Sequence, residues 1–143
     1  WGGPGSYTRD DGYVHDGQDI GRNAGAAVRA LQEGIIAEDP VIGDTRRSGT
    51  STRVVIQHPN GYQSEYYHMV SVPNLKKGDR VARGAFLGTS NCIGSCSDDH
   101  LHLVVRDPTG KVQNPFELLT RRGVCDACAP LALRGVSPFP RRP

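Results

Sequence analysis

The segment Asp98-Asp99-His100-Leu101-His102-Leu103-Val104-Val105 alternates side-chain character and ends in β-branched residues, the pattern of a β-strand. Side chains on a strand point alternately to its two faces, so His100 and His102 point the same way. Two imidazoles therefore face one groove. At that spacing both ring nitrogens can approach one metal ion, or one can take the metal while the other meets the water beside it. The alternation does not decide between these, and a simple polar strand face has the same pattern.

Upstream, Thr52-Arg53-Val54-Val55-Ile56-Gln57-His58 reads as a buried strand, Pro59-Asn60-Gly61 as a hairpin turn, and Tyr62 to Met69 as the return strand. On that return strand Tyr62, Ser64, Tyr66 and His68 are expected on one face, so Tyr66 accompanies His68. A half-buried structural histidine would leave the same trace. His58, at the mouth of the turn, is expected to be solvated or held by structural hydrogen bonds. Residues 26 to 36 read as two short strands around a turn, and 43 to 51 as an exposed polar loop forming a groove wall. From Leu75 to Gly88 short strands are punctuated by glycine, with Val81, Phe86 and Leu87 expected in the core. Asp107-Pro108-Thr109-Gly110 makes a further turn, and Asn114-Pro115-Phe116-Glu117-Leu118-Leu119 closes the compact part. The fold class expected is all-β, with residues 1–122 as the functional domain and 123–143 as a tail rich in Cys, Pro and Arg.

Near the start stands His15-Asp16-Gly17-Gln18-Asp19. A helix would put His15 and Asp19 on one face, but Gly12, Gly17 and Gly21 argue against a helix. In a straight strand the two residues would lie about 13 Å apart, too far to share an ion. Joint metal binding requires a bend relaxed by glycine. Taken alone, the motif is also that of an exposed loop. Together with the His-x-His strand and His68 it gives imidazole nitrogens and a carboxylate, the donor set of hydrolytic zinc. Three protein ligands leave a position for water, whose pKa the ion lowers toward neutrality, and a neighbouring imidazole can move the proton.

Composition bounds the alternatives. The 143 residues have a formal charge of +2, but residues 121 to 143 carry +4 and residues 1 to 120 sum to −2. The body is therefore not a nucleic-acid binder by charge. No run has the length of a transmembrane span, and Trp1-Gly2-Gly3-Pro4-Gly5 lacks the basic and apolar regions of a signal peptide, so an exported form is expected with its signal removed. The basic tail suits a solvated end or an anionic surface such as a cell wall.

From Tyr13 to Leu119 the chain resembles the lysostaphin-type, or LytM-type, zinc endopeptidases of bacterial cell walls. The resemblance is carried by the His-x-Gly-x-Asp segment, Tyr66-Tyr67-His68, the run Gly78-Asp79-Arg80-Val81-Ala82-Arg83-Gly84 with Gly88, His100-Leu101-His102 and Asn114-Pro115-Phe116. It implies antiparallel sheets around a narrow groove, Zn2+ as cofactor with His15, Asp19 and His102 as ligands, and His68 and His100 as the pair that activates water and stabilises the transition state. Tyr66 is expected to contact substrate. The implied partners are peptidoglycan peptides, met by a secreted or periplasmic, wall-associated monomer. Two departures stand out: Asp98-Asp99 where the family commonly has Gly-Pro, expected to add negative charge to the rim, and Val104-Val105 where a glutamate is common. Two other functions fit the same residues: a catalytically silent peptidoglycan-binding or hydrolase-activator module, and a zinc D-alanyl-D-alanine carboxypeptidase, whose His-to-Asp spacing is longer.

Cys92, Cys96, Cys125 and Cys128 allow three disulfide pairings. Disulfides are the expected use in an exported hydrolase, with a four-thiolate zinc site as the alternative.

Overall fold

The computed structural model describes residues 16–21 and 24–115. Within them the regular elements are ten β-strands: β1 (Gln18–Gly21), β2 (Ala27–Arg29), β3 (Gly34–Ile36), β4 (Arg53–Gln57), β5 (Gln63–Tyr67), β6 (Met69–Val70), β7 (Arg80–Val81), β8 (Phe86–Ser90), β9 (His100–Arg106) and β10 (Val112–Gln113). They form a seven-stranded sheet, ordered β1-β9-β5-β4-β3-β7 with β10 beside β9, and a three-stranded sheet ordered β2-β8-β6. The strand pairings are antiparallel. The all-β expectation holds. His15, Phe116, Cys125, Cys128 and the proposed 123–143 tail lie outside the described residues.

The period-two pattern of β4, β5 and β9 gives the large sheet one apolar face. Val54, Ile56, Tyr66, Leu101, Leu103 and Val105 meet Val28, Met69 and Leu87 of the small sheet, forming a core between the two layers. The opposite face of the large sheet carries His102, Tyr67 and Glu65, since these alternate with the core residues along β9 and β5.

Several expectations are refined by tertiary pairing. The two short strands between 26 and 36 exist, but they separate: β2 joins β8 in the small sheet and β3 joins β4 and β7 in the large one. The turn at Asp107–Gly110 closes with the Gly110 N–H donating to the Asp107 carbonyl at 2.8 Å. Phe86, expected in the core, is 39% exposed. It opens β8 beside Arg29, where the β2 register shifts, and Leu87 takes the inward position instead.

The expected single strand from Tyr62 to Met69 is broken. His68 adopts φ +68, a conformation uncommon for a non-glycine residue, and separates β5 from β6. That one left-handed residue resets the alternation. His68 consequently leaves the Ser64–Tyr66 face and joins the rings of His100 and His102, at centroid distances of 4.9 and 6.2 Å.

Candidate active site

The site is assembled around β9. The register places Asp19 of β1 and Tyr67 of β5 opposite His102, so the three form one row across neighbouring strands. Gly17 makes the approach of β1 possible. It has φ +80, and a Cβ there would lie 2.5 Å from the Leu103 carbonyl oxygen and 2.8 Å from Val104 Cγ2. Gly17 is thus a left-handed residue immediately before β1, while His15 lies outside the described residues.

His102 Nδ1 lies 2.7 Å from Asp19 Oδ1, and His100 Nε2 lies 3.5 Å from the same oxygen. Behind His102, Nε2 is 3.5 Å from Asp16 Oδ1. Asp16 is held in turn by Arg106, whose Nη2 donates to Asp16 Oδ2 at 3.0 Å and whose Nε donates to Glu65 Oε2 at 2.6 Å. Glu65 is almost fully buried and also accepts a hydrogen bond from Tyr67 OH at 2.7 Å, with Arg53 Nη2 3.5 Å away. The Tyr67 ring stands edge-on to His102 at 5.4 Å. Burial, then the hydrogen bond to Glu65, raises the Tyr67 pKa, so its hydroxyl stays a donor at neutral pH.

The other two histidines are oriented by backbone carbonyls. His68 Nδ1–H donates to Ile93 O at 2.9 Å, and His100 Nδ1–H donates to Asp98 O at 2.7 Å. Each bond fixes the neutral tautomer with its lone pair on Nε2. His68 is only 8% exposed, and this burial is the main cause of its lowered pKa. Its imidazole is neutral at pH 7.

Of the residues expected from sequence, Asp19, His68, His100 and His102 come together. Tyr66 does not. It is 1% exposed, its hydroxyl accepts from the Leu31 N–H at 3.0 Å and lies 2.8 Å from Ser64 Oγ, and burial pushes its pKa up to about 12. Expected to contact substrate, Tyr66 is a core residue, because it sits opposite Leu103 while Tyr67 sits opposite His102. Asp16, Glu65, Tyr67 and Arg106 had no assigned role in the sequence; Glu65, Tyr67 and Arg106 are identified only once β5 is paired with β9, and Asp16 only by its contacts with His102 and Arg106. His58 is structural, its Nδ1–H donating to Glu33 O at 2.8 Å and its Nε2 2.9 Å from Ser64 Oγ.

The Asp98-Asp99 rim is less acidic than its sequence implies. Asp99 pairs with Arg46 at 2.7 Å, which lowers its carboxyl pKa, and Arg46 also donates to Asn91. Cys92 and Cys96 form a disulfide, which removes two of the four thiolates required by a four-cysteine zinc site.

Asp19 Oδ1 and His102 Nδ1 are donor types suited to zinc, and they already face one another. Among the described residues no group of three or more His, Cys, Asp or Glu side chains is placed to hold a metal ion, and the third donor named from sequence, His15, lies outside them. The residues present fit an incomplete nitrogen and oxygen set.

A family profile described as peptidase family M23 matches residues 13–115. Peptidoglycan DD-endopeptidase ShyA of Vibrio cholerae is 33% identical over 94 residues, covering 64% of this chain and 20% of that protein. Glycyl-glycine endopeptidase ALE-1 of Staphylococcus capitis is 34% identical over 92 residues, covering 64% of this chain and 24% of that protein. The chain thus spans a fifth to a quarter of the length of these relatives. The catalytic domain of lysostaphin from Staphylococcus simulans superposes with a TM-score of 0.63 at 27% identity, covering 83% of this chain and 88% of that domain.

Proposed function

The chain belongs to peptidase family M23, and from that premise we propose that it is a zinc-dependent endopeptidase cleaving peptide bonds in the cross-links or stems of bacterial peptidoglycan. The observation that carries this reading is the convergence of Asp19, His102, His100 and His68 on one face of the large sheet. The relatives' named activities support the substrate class. His15, Asp19 and His102 are the residues that would hold zinc, which when bound supplies Lewis acidity and lowers the pKa of water.

The remaining chemistry belongs to His68 and His100. With Nδ1–H committed to a backbone carbonyl, each presents Nε2 as the working atom. His68, neutral and with its lone pair on Nε2, takes a proton there from the attacking water and passes it to the leaving amine. His100 turns Nε2 toward the same reacting atoms and completes the pair that activates water and stabilises the oxyanion developing on the attacked carbonyl. Asp16 and Tyr67 position His102 from behind and from the side. A disulfide at Cys92–Cys96 supports an extracellular or periplasmic location.

The test is incubation of the purified, zinc-loaded chain with peptidoglycan sacculi of two kinds, one with glycine bridges and one directly cross-linked, reading new amino termini by mass spectrometry. Internal cuts that disappear with a chelator are expected. Stoichiometric zinc without cuts in either wall would replace this reading with that of a silent binding module, and release of terminal D-alanine alone would indicate a carboxypeptidase.

A further inference from the structure

The two histidines assigned to proton handling share a feature that zinc ligation does not require. Both are oriented by carbonyl groups of one connection, residues 91 to 99 between β8 and β9: His68 by Ile93 and His100 by Asp98. The Cys92–Cys96 disulfide closes part of this connection into a small ring that contains Ile93. We propose that the disulfide is a clamp: by fixing the Ile93 peptide it sets the tautomer and aim of His68, and through the same connection it steadies His100.

The ring is gripped on both sides. Toward the 43–51 loop, the Arg47 N–H donates to Cys92 O at 2.6 Å, the Gly94 N–H donates to Thr45 O at 3.0 Å, and Ile93 forms a bridge with Arg46. Toward β9, Asn91 bridges His100, and the Asn91 side chain accepts from the Cys92 N–H at 2.8 Å. Cys92 is wholly buried, which packs this end of the ring into the protein. Within it Gly94 has φ +95 and packs against Ser51 so closely that a Cβ would collide with that residue.

His68 needs such an external constraint. Its backbone is in the left-handed region, its N–H donates to Thr52 O at 3.1 Å, and its ring is turned away from the core. The ring's fixed polar contact is the Ile93 carbonyl. A neutral imidazole without a committed acceptor at Nδ1 exchanges between tautomers, and in one of them Nε2 carries hydrogen and accepts no proton. A disulfide that holds the Ile93 carbonyl in place therefore raises the fraction of molecules ready for the first proton transfer. Substrate binding and zinc content are not affected by this step. The Cys92 and Cys96 side chains act through His68 and are positioning residues.

The inference rests on the proposed roles of His68 and His100, and two separate readouts keep the two readings apart. The variant is Cys92→Ser with Cys96→Ser in the full zinc-loaded chain, which leaves Cys125 and Cys128 untouched. Nitrogen-15 spectra of the histidine rings are recorded at a pH where His68 is neutral, and kcat and KM are measured on peptidoglycan peptides. Expected in the unmodified protein is His68 with hydrogen on Nδ1; in the double variant, a mixed tautomer signal, kcat lower by about 10- to 100-fold, and KM and zinc content unchanged. Hydrogen on Nε2 in the unmodified protein overturns the clamp outright, without any variant. A folded double variant with native kcat and a native His68 signal also overturns it. Should the unmodified chain cut no peptide, the tautomer readout still decides the clamp while the peptidase reading fails. Should the double variant not fold, Gly94→Ala displaces the same ring with its disulfide intact, and a folded Gly94→Ala with native tautomer and kcat counts against the clamp.

Discussion

Adjacent residues of β5 serve two hydrogen-bond systems of opposite kind on the two faces of the large sheet. On the core side, the Leu31 N–H donates to Tyr66 OH, Tyr66 to Ser64 Oγ, Ser64 to His58 Nε2, and His58 Nδ1–H to Glu33 O. A backbone donor at one end and a backbone acceptor at the other force every hydrogen in this chain into one direction. On the opposite face, Glu65, Tyr67, Arg106 and Asp16 form a charged cluster that ends on the imidazole of His102. The first system uses up its polar atoms internally and contributes stability. The second ends on His102 beside the rings of His68 and His100 and contributes a site.

The largest test of this contrast is His68→Gln, which removes a groove-side proton acceptor while leaving the core chain intact. Turnover is expected to fall by roughly 10²- to 10⁴-fold with zinc content and melting temperature near native, measured by cleavage assay, metal analysis and calorimetry. Next, Asp16→Ala takes away the carboxylate behind His102. Zinc affinity should weaken by about 10- to 100-fold in competition titrations against a chelator, and an unchanged affinity would detach Asp16 from the site.

Tyr66→Phe tests the other face. It interrupts the core chain and strands the Leu31 N–H, so a loss of about 1–3 kcal/mol in denaturant unfolding is expected, with cleavage by the folded fraction unchanged. A fall in kcat/KM for folded Tyr66→Phe would return Tyr66 to the groove. The smallest effect is one of pH. Burial lowers the pKa of His58, whose Nε2 must stay unprotonated to accept from Ser64. The unfolded chain, with a histidine pKa of about 6.5, then binds the proton more readily than the folded one. The His58 contribution is full above that value and declines as pH falls below it toward the lowered folded pKa. Unfolding midpoints of the native chain should drop over this window, and His58→Gln should flatten the drop.

Much of the layout was legible in residue order. Strand alternation in His100-Leu101-His102 put both imidazoles on one face, and Gly17 marked a left-handed position just before Asp19. Both are local properties. The placement of the tyrosines was not legible, because the Tyr66-Tyr67 pair offers one phenol to each face and neither periodicity nor polarity says which face is the core. Phe86 misled for a related reason: its apolarity is outweighed by the register shift where β2 meets β8. The rim charge of Asp99 could not be judged without Arg46, a residue far away in sequence.

Residue types and their spacing were enough to define the strand class and the pairing of two histidines on one strand, since a period of two holds wherever the strand is placed. Tertiary structure alone decided that His68 joins them, that Tyr67 and Asp16 support His102, and that one disulfide-closed connection orients the remaining pair. Those outcomes depend on a left-handed backbone at His68 and on the registers of β1 and β5 against β9. A shift of one residue in either register would exchange the two faces of that strand.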